Sequence, residues 1–565
     1  MRNIEIENHY ISKQPSIITM KNILVLLCVI IVSCSPKTEY DIILKNGLIY
    51  DGSGESSYAG DIAIIGDTIA AIGDLSAAMG KEVIDLKGMA VAPGFINMLS
   101  WANSSLIEDG RSQSDIRQGV TLEVLGEGWS MGPLTDSMKI DMKEDQVDIK
   151  YDIEWTTLGE YLQFLEDKGI STNVTSFVGN GTVREYVVGL ENRPATEEEL
   201  TAMKELVDEA MKEGAVGISS SLLYAPSGYA NTEELIELAK VAAKYDGMYI
   251  SHIRNEGDRL LEAIDELITI SREADIAAEV YHLKASGRDN WNKLDSAISM
   301  IEAARNEGLH VTADIYTYPA SSTGLHVQLP DWVREGGVEA TIERLANPDL
   351  RERILSEIEF SNPPESILLV GFKNESLRKY IGKRLTEVAQ ELGKSPAETM
   401  MDLIVEDDSR IQVVYFSMSE ENIAKKVAVP WVSFCSDAGS YATEGVFLKQ
   451  STHPRAYGSF IRVLGKFARD EQVISLEEAI RKLAHLPAQN LKIEKRGLLK
   501  AGNYADVVVF DPTKVNDNAT FEKPHQYAEG VLHVWVNGTQ VLKDGEHTGA
   551  MPGRFVKGPR FKEVK

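Results

Sequence analysis

Beyond residue 40 the chain opens on short apolar runs punctuated by Gly and Asp. Ile42-Ile43-Leu44 leads through Asn46-Gly47 to Leu48-Ile49-Tyr50, and Asp61-Ile62-Ala63-Ile64 and Thr68-Ile69-Ala70-Ala71-Ile72-Gly73 follow. Runs of this length with turn residues between them read as strands and hairpins. The same texture returns at Ala505–Asp511 and Val531–Gly538. A small β-sandwich domain shared by both chain ends explains this likeness better than two independent modules, so residues 40–92 and 491–565, including a C-terminal tail, are assigned to it.

Between these ends, strand-like apolar runs alternate with stretches of helical periodicity, the pattern of parallel βα units. The runs end near Ser100, Leu125, Val178, Ser219, His252, His282, Asp314 and Asp437, with a ninth at Val413–Phe416. The pattern predicts an α/β domain over 93–490, with one run too many for an eight-stranded barrel. Glu197–Glu213, Thr232–Tyr245 and Arg259–Ala274 carry apolar residues three or four positions apart and read as helices, the second of them starting at Thr232. The connection from about 318 to 409 is longer than an ordinary βα loop and predicts a lid or small inserted subdomain.

Composition narrows the function classes. Among 565 residues, a formal net charge of -28 opposes attraction to nucleic acid or to anionic lipid. Three cysteines, Cys28, Cys34 and Cys435, exclude a disulfide framework. Lys21 precedes an apolar run from Ile23 to Val32, about ten residues and too short to span a bilayer; it fits an export signal. Ile31-Val32-Ser33-Cys34 resembles a lipoprotein cleavage box, which implies acylation of Cys34, Met20 as the working start, and a cell-envelope protein that meets the membrane only through a lipid anchor. Residues 1–39 are accordingly left out of the fold.

In parallel βα barrels the active site gathers at the C-terminal ends of the strands, so polar residues closing apolar runs carry weight. His252 closes Gly247–Ser251 and His282 closes Ala277–Tyr281, one strand-helix-strand unit apart. Two neutral imidazoles on adjacent strands suit a zinc ion, with Glu127 as a third ligand and one position left open. Asp437, closing Val432–Ser436, is a candidate general acid and base. Each has a plainer alternative: a hydrogen-bonded structural His, a helix-capping Asp, or a simple tight turn at Gly126-Glu127-Gly128.

The motifs also carry a family resemblance. Val91–Ile96, Gly214–Ser219, Ser251-His252-Ile253-Arg254-Asn255-Glu256, His282-Leu283-Lys284, Asp314–Pro319, Ser436-Asp437-Ala438 and His453-Pro454-Arg455, with Pro487-Ala488 and Gly502–Pro512, together resemble the N-acyl-D-amino-acid deacylases (D-aminoacylases) of the amidohydrolase superfamily. That resemblance implies a (β/α)8 TIM barrel that hydrolyses the amide bond of small N-acyl-D-amino acids. It also implies one Zn2+ per chain on Glu127, His252 and His282, with proton transfer by Asp437. Lys284, Tyr316 and Arg455 would hold the substrate; Lys284, two residues past His282, is placed on the same strand face.

Two departures stand out. The superfamily carries His-x-His just after Pro-Gly-Phe-Ile, where this chain has Leu99 and Trp101 flanking Ser100; the metal site that needs that pair is expected to be lost. Asn180 stands where relatives often have His. Two other readings stay open: a related amidohydrolase acting on a cyclic amide or D-dipeptide, and a metal-free binding protein.

Overall fold

The computed structural model describes Met1 and residues 39–561. The expected leader and Cys34 lie outside the described residues.

Eight short parallel strands form the barrel: Phe95–Asn97, Val120–Leu125, Asn173–Gly179 broken at Phe177, Gly217–Ser221, Met248–His252, Ala277–Val280, Val311–Ile315 and Val432–Phe434. Hydrogen-bonded registers link the second strand to the first and third, and run without interruption from the third strand to the eighth. The ring closes where Met98 donates to Phe434 O and Asp437 donates to Leu99 O, next to a parallel bridge between Ser100 and Ala438. Alternation divides each strand between two cores. Ile96, Leu122, Val124, Met248, Ile250, Tyr281 and Cys435 fill the lumen, while Leu125, Tyr249, Val280, Val311 and Phe434 pack outward against the helices.

The helices form where periodicity places them. Glu197–Glu213 begins with a capping box from Thr196 and Glu199 and ends on left-handed Gly214. The next helix, Thr232–Ala243, starts at the expected Thr232 and is capped by Asn231, whose side chain accepts from Glu234 N.

Both chain ends build one nine-stranded sheet. Val507–Phe510 pairs antiparallel with Ala90–Pro93, and Val531–Val536 adds beside it. The expected sandwich is thus a single continuous hydrogen-bonded sheet around one core, with Leu44, Ile62, Ile64, Val507, Val509 and Trp535 buried together. Past it, the C-terminal tail runs beneath the barrel. Val556 donates to Val174 O and Gly558 to Gly214 O, and buried Phe555 packs into the helical core.

The inserted subdomain has its own core, including Leu325, Ile354, Ile367, Leu385, Met400 and Val413. It settles the surplus ninth run: Gln412–Tyr415 is the central strand of a three-stranded antiparallel sheet with Ser321–Gly324 and Ile367–Gly371. The insertion therefore extends past residue 409, the end expected from the sequence. Its last strand is as apolar as a barrel strand because it too is buried.

Candidate metal centre

The turn Gly126-Glu127-Gly128 follows the second strand. Leu122 and Val124 point into the lumen, so simple alternation would turn residue 127 away. Gly126 at φ 95° and Gly128 at φ 65° break the alternation, and a Cβ on Gly126 would collide with the Phe177 carbonyl. Ser219 locks the turn, its hydroxyl donating to Gly126 O and accepting from Gly128 N at 2.9 Å. The turn and the functional reading of Glu127 are thus one feature: the turn aims the carboxylate.

His252 is the last residue of the fifth strand and shares the lumen parity of Met248 and Ile250. His282 does not follow its strand. Tyr281 faces the lumen, and His282 takes φ 36°, a strained left-handed conformation that swings its ring to the same mouth. Asp314 helps hold that conformation by accepting from His282 N at 2.8 Å.

The three side chains converge. His252 Nδ1 lies 3.0 Å and His282 Nε2 2.8 Å from Glu127 Oε1, and the two nitrogens are 3.0 Å apart. Corners of a tetrahedron with zinc bonds of about 2.0–2.1 Å are spaced by about 3.3 Å, so the donors stand at close to ligand spacing. The imidazoles meet nearly perpendicular, at 84°. All three residues are buried. Burial alone would raise the Glu127 carboxyl, but the two imidazoles hold it well below the usual carboxylate range. Burial and Lys284 push His282 down, yet the Glu127 and Glu256 carboxylates hold it up at about 10. A buried carboxylate facing two imidazole nitrogens at this spacing is a site in which a divalent cation can take the place of protons.

Around this triad stand further polar groups. Asp437, left-handed at φ 49°, is pushed up by burial, with Arg455 and His282 pulling it down. Its Oδ2 lies 2.7 Å from Arg455 Nη1. The Arg455 guanidinium sits 4.5 Å over the Tyr316 ring and the Lys284 ammonium 5.7 Å from it. Among the described residues, the buried Tyr316 hydroxyl and Arg455 Nε have no hydrogen-bond partner. Lys284 does not share a strand face with His282, because the sixth strand ends at Val280 and the chain turns. Its ammonium reaches behind the ring instead, 2.6 Å from His282 Nδ1 and 2.5 Å from Glu256 Oε1.

Glu256 is the residue the sequence reading passed over. Its Oε1 lies 3.2 Å from His282 Nδ1 and 4.0 Å from His252 Nε2, behind both rings. Burial would raise its carboxyl; Lys284 and the two histidines hold it well below normal. The only signal for it was its place at the end of the Ser251–Glu256 motif. Tyr224 closes the other side. Its ring stands edge-on to His252 at 5.3 Å, and its hydroxyl meets Thr323 of the insertion at 2.7 Å. Asn180 contributes no acid or base; it is fully buried and accepts from Ser227 at 2.5 Å.

Known proteins resemble this chain over most of its length. Residues 436–542 match the Amidohydrolase family. The chain is 33% identical over 528 residues to D-aminoacylase from Alcaligenes xylosoxydans xylosoxydans, spanning 93% of this chain and 99% of that protein. A D-aminoacylase structure that addresses a binuclear metal centre, with one-metal activation and second-metal attenuation, superposes with a TM-score of 0.76 at 31% identity, covering 92% of this chain and all of that one. An N-acyl-D-glutamate deacylase from Bordetella bronchiseptica, bound to zinc and a phosphonate mimic of the tetrahedral intermediate, also gives a TM-score of 0.76, at 28% identity and with the same coverage.

Proposed function

The chain belongs to the D-aminoacylase (N-acyl-D-amino-acid deacylase) family of the amidohydrolase superfamily, and from that premise we propose that it hydrolyses N-acyl-D-amino acids with a single zinc ion held by Glu127, His252 and His282. The observation that carries this reading is the convergence of those three donor atoms within 4.8 Å of one another. A zinc ion in that position supplies Lewis acidity, polarising the amide carbonyl and making water acidic enough to attack near neutral pH.

The chain's own residues do the rest. Asp437 accepts a proton from the attacking water and delivers it to the departing amine nitrogen. Its raised carboxyl makes it a stronger base for that uptake than an ordinary aspartate. The unpartnered Tyr316 hydroxyl, flanked by Arg455 and Lys284, forms a cationic pocket for the substrate carboxylate. Arg455 is suited to a two-pronged grip. Glu256 helps fix the orientation of the His282 imidazole, as carboxylates behind metal-binding histidines do. Tyr224 and Thr323 join the insertion to the rim and limit water entry.

The test is a metal-replete assay of N-acetyl-D-methionine and N-acetyl-D-glutamate beside their L-enantiomers, hydantoins and D-dipeptides. Release of a D-amino acid by protein carrying about one zinc per chain is the expected result. A chain that holds no metal, or that cleaves only cyclic amides, ends this assignment. We also propose export with acylation at Cys34; labelling with a radioactive fatty acid should mark the natural chain and miss Cys34→Ser.

A further inference from the structure

Glu127 uses its two oxygens differently. Oε1 faces both histidine nitrogens, while Oε2 accepts a hydrogen bond of 2.9 Å from the indole Nε1 of Trp101. Trp101 occupies the second position of the Leu99-Ser100-Trp101 segment just past the first strand. Its backbone is fixed by donation to Ala438 O at 3.0 Å. Leu99, at the first position, is fully buried among Ile96, Met98 and Tyr281 and offers no donor. A carboxylate that bridges two cations through both of its oxygens gives one oxygen to each. Here the second oxygen already meets an N–H, which carries partial positive charge but cannot exchange ligands.

We propose that Trp101 is a positioning residue that takes the place of a second cation: its indole N–H occupies Glu127 Oε2, keeps the carboxylate single-pronged toward the ion, and makes the centre indifferent to excess metal. This rests on the zinc reading above and extends it to regulation. The D-aminoacylase with a binuclear centre is attenuated by its second metal; this chain has exchanged that control for a fixed hydrogen bond.

The test uses the full chain and its W101F variant, which keeps an aromatic ring and loses the N–H. Zinc per chain is measured at rising free zinc, and affinity by competition with a chromophoric chelator. The wild type should stop at one equivalent with unreduced turnover in excess zinc. W101F should bind zinc about 10–100-fold more weakly, the range for loss of a partner behind a ligand. Cobalt-loaded W101F should also absorb less in the visible, as Glu127 closes onto the ion through both oxygens and raises its coordination number. A second equivalent in the wild type accompanied by inhibition overturns the inference. So does W101F with unchanged affinity and spectrum. A wild type that binds no zinc defeats the parent reading instead, which separates the two failures. Trp101 is partly exposed, so matching melting temperatures for the metal-free proteins will show that W101F is folded.

Discussion

Glu256 touches no donor atom of the triad directed at the ion, yet it stands behind both rings and binds Lys284. Glu256→Gln keeps the shape and removes the charge; zinc affinity should fall about 10–100-fold with the fold intact, as read by chelator competition. Asp437→Asn separates binding from chemistry. Zinc content should be unchanged while kcat drops by about 10^2–10^4-fold, the usual contribution of a general acid-base group. Deeper in the lumen, burial and neighbouring Asp314 push Glu279 up to about 8. An acid whose folded pKa lies above its unfolded value of about 4.3 favours the native state while protonated, so that contribution is whole below about pH 4 and is lost as pH rises through 8. Glu279→Gln should therefore flatten the decline in melting temperature between pH 5 and 8. These residues were unequally legible. His252 follows strand alternation and could be read from periodicity alone. Glu127 and His282 do not, because Gly126 and His282 itself adopt left-handed backbone; their places at the ends of apolar runs, and not alternation, pointed to them. Lys284 was placed by an alternation that had already ended. Glu256 looked like any loop acid, since its burial comes from contacts distant in sequence.

Elements were easier to recognise than their assignments. The helices of the barrel stood out because each must bury one stripe, and Glu197–Glu213 matches its expected bounds. Strand runs stood out equally well, but apolar content says only that a strand is buried, not in which sheet. Gln412–Tyr415 belongs to the insertion's sheet for that reason. The insertion meets the site through the hydroxyl pair of Tyr224 and Thr323. Tyr224→Phe removes one hydrogen bond of about 0.5–1.5 kcal/mol; the expected result is a KM up to about tenfold higher with zinc content unaltered. At the opposite mouth, the tail's Phe555 is 6% exposed. Phe555→Ala should destabilise the protein by about 3–5 kcal/mol in denaturant titration, while the distant triad keeps its metal.

Over the whole molecule, the net charge of -28 repels an anionic substrate at long range, whereas the pocket proposed around Arg455 and Lys284 attracts it at contact. The repulsion is screened first: the Debye length shrinks from about 30 Å at 0.01 M salt to about 8 Å at 0.15 M. Accordingly kcat/KM for an N-acyl-D-amino acid should rise over that range, while that of its uncharged amide should stay level.

The pairing of Ala90–Pro93 with Val507–Phe510 carries a consequence for biogenesis. A ribosome has made some four hundred residues after the first partner before it makes the second, and the barrel's underside waits longer still for Phe555. Until then a hydrophobic edge has no neighbour, so folding cannot finish during synthesis. Such a chain keeps that edge open to other partners until its last residues emerge.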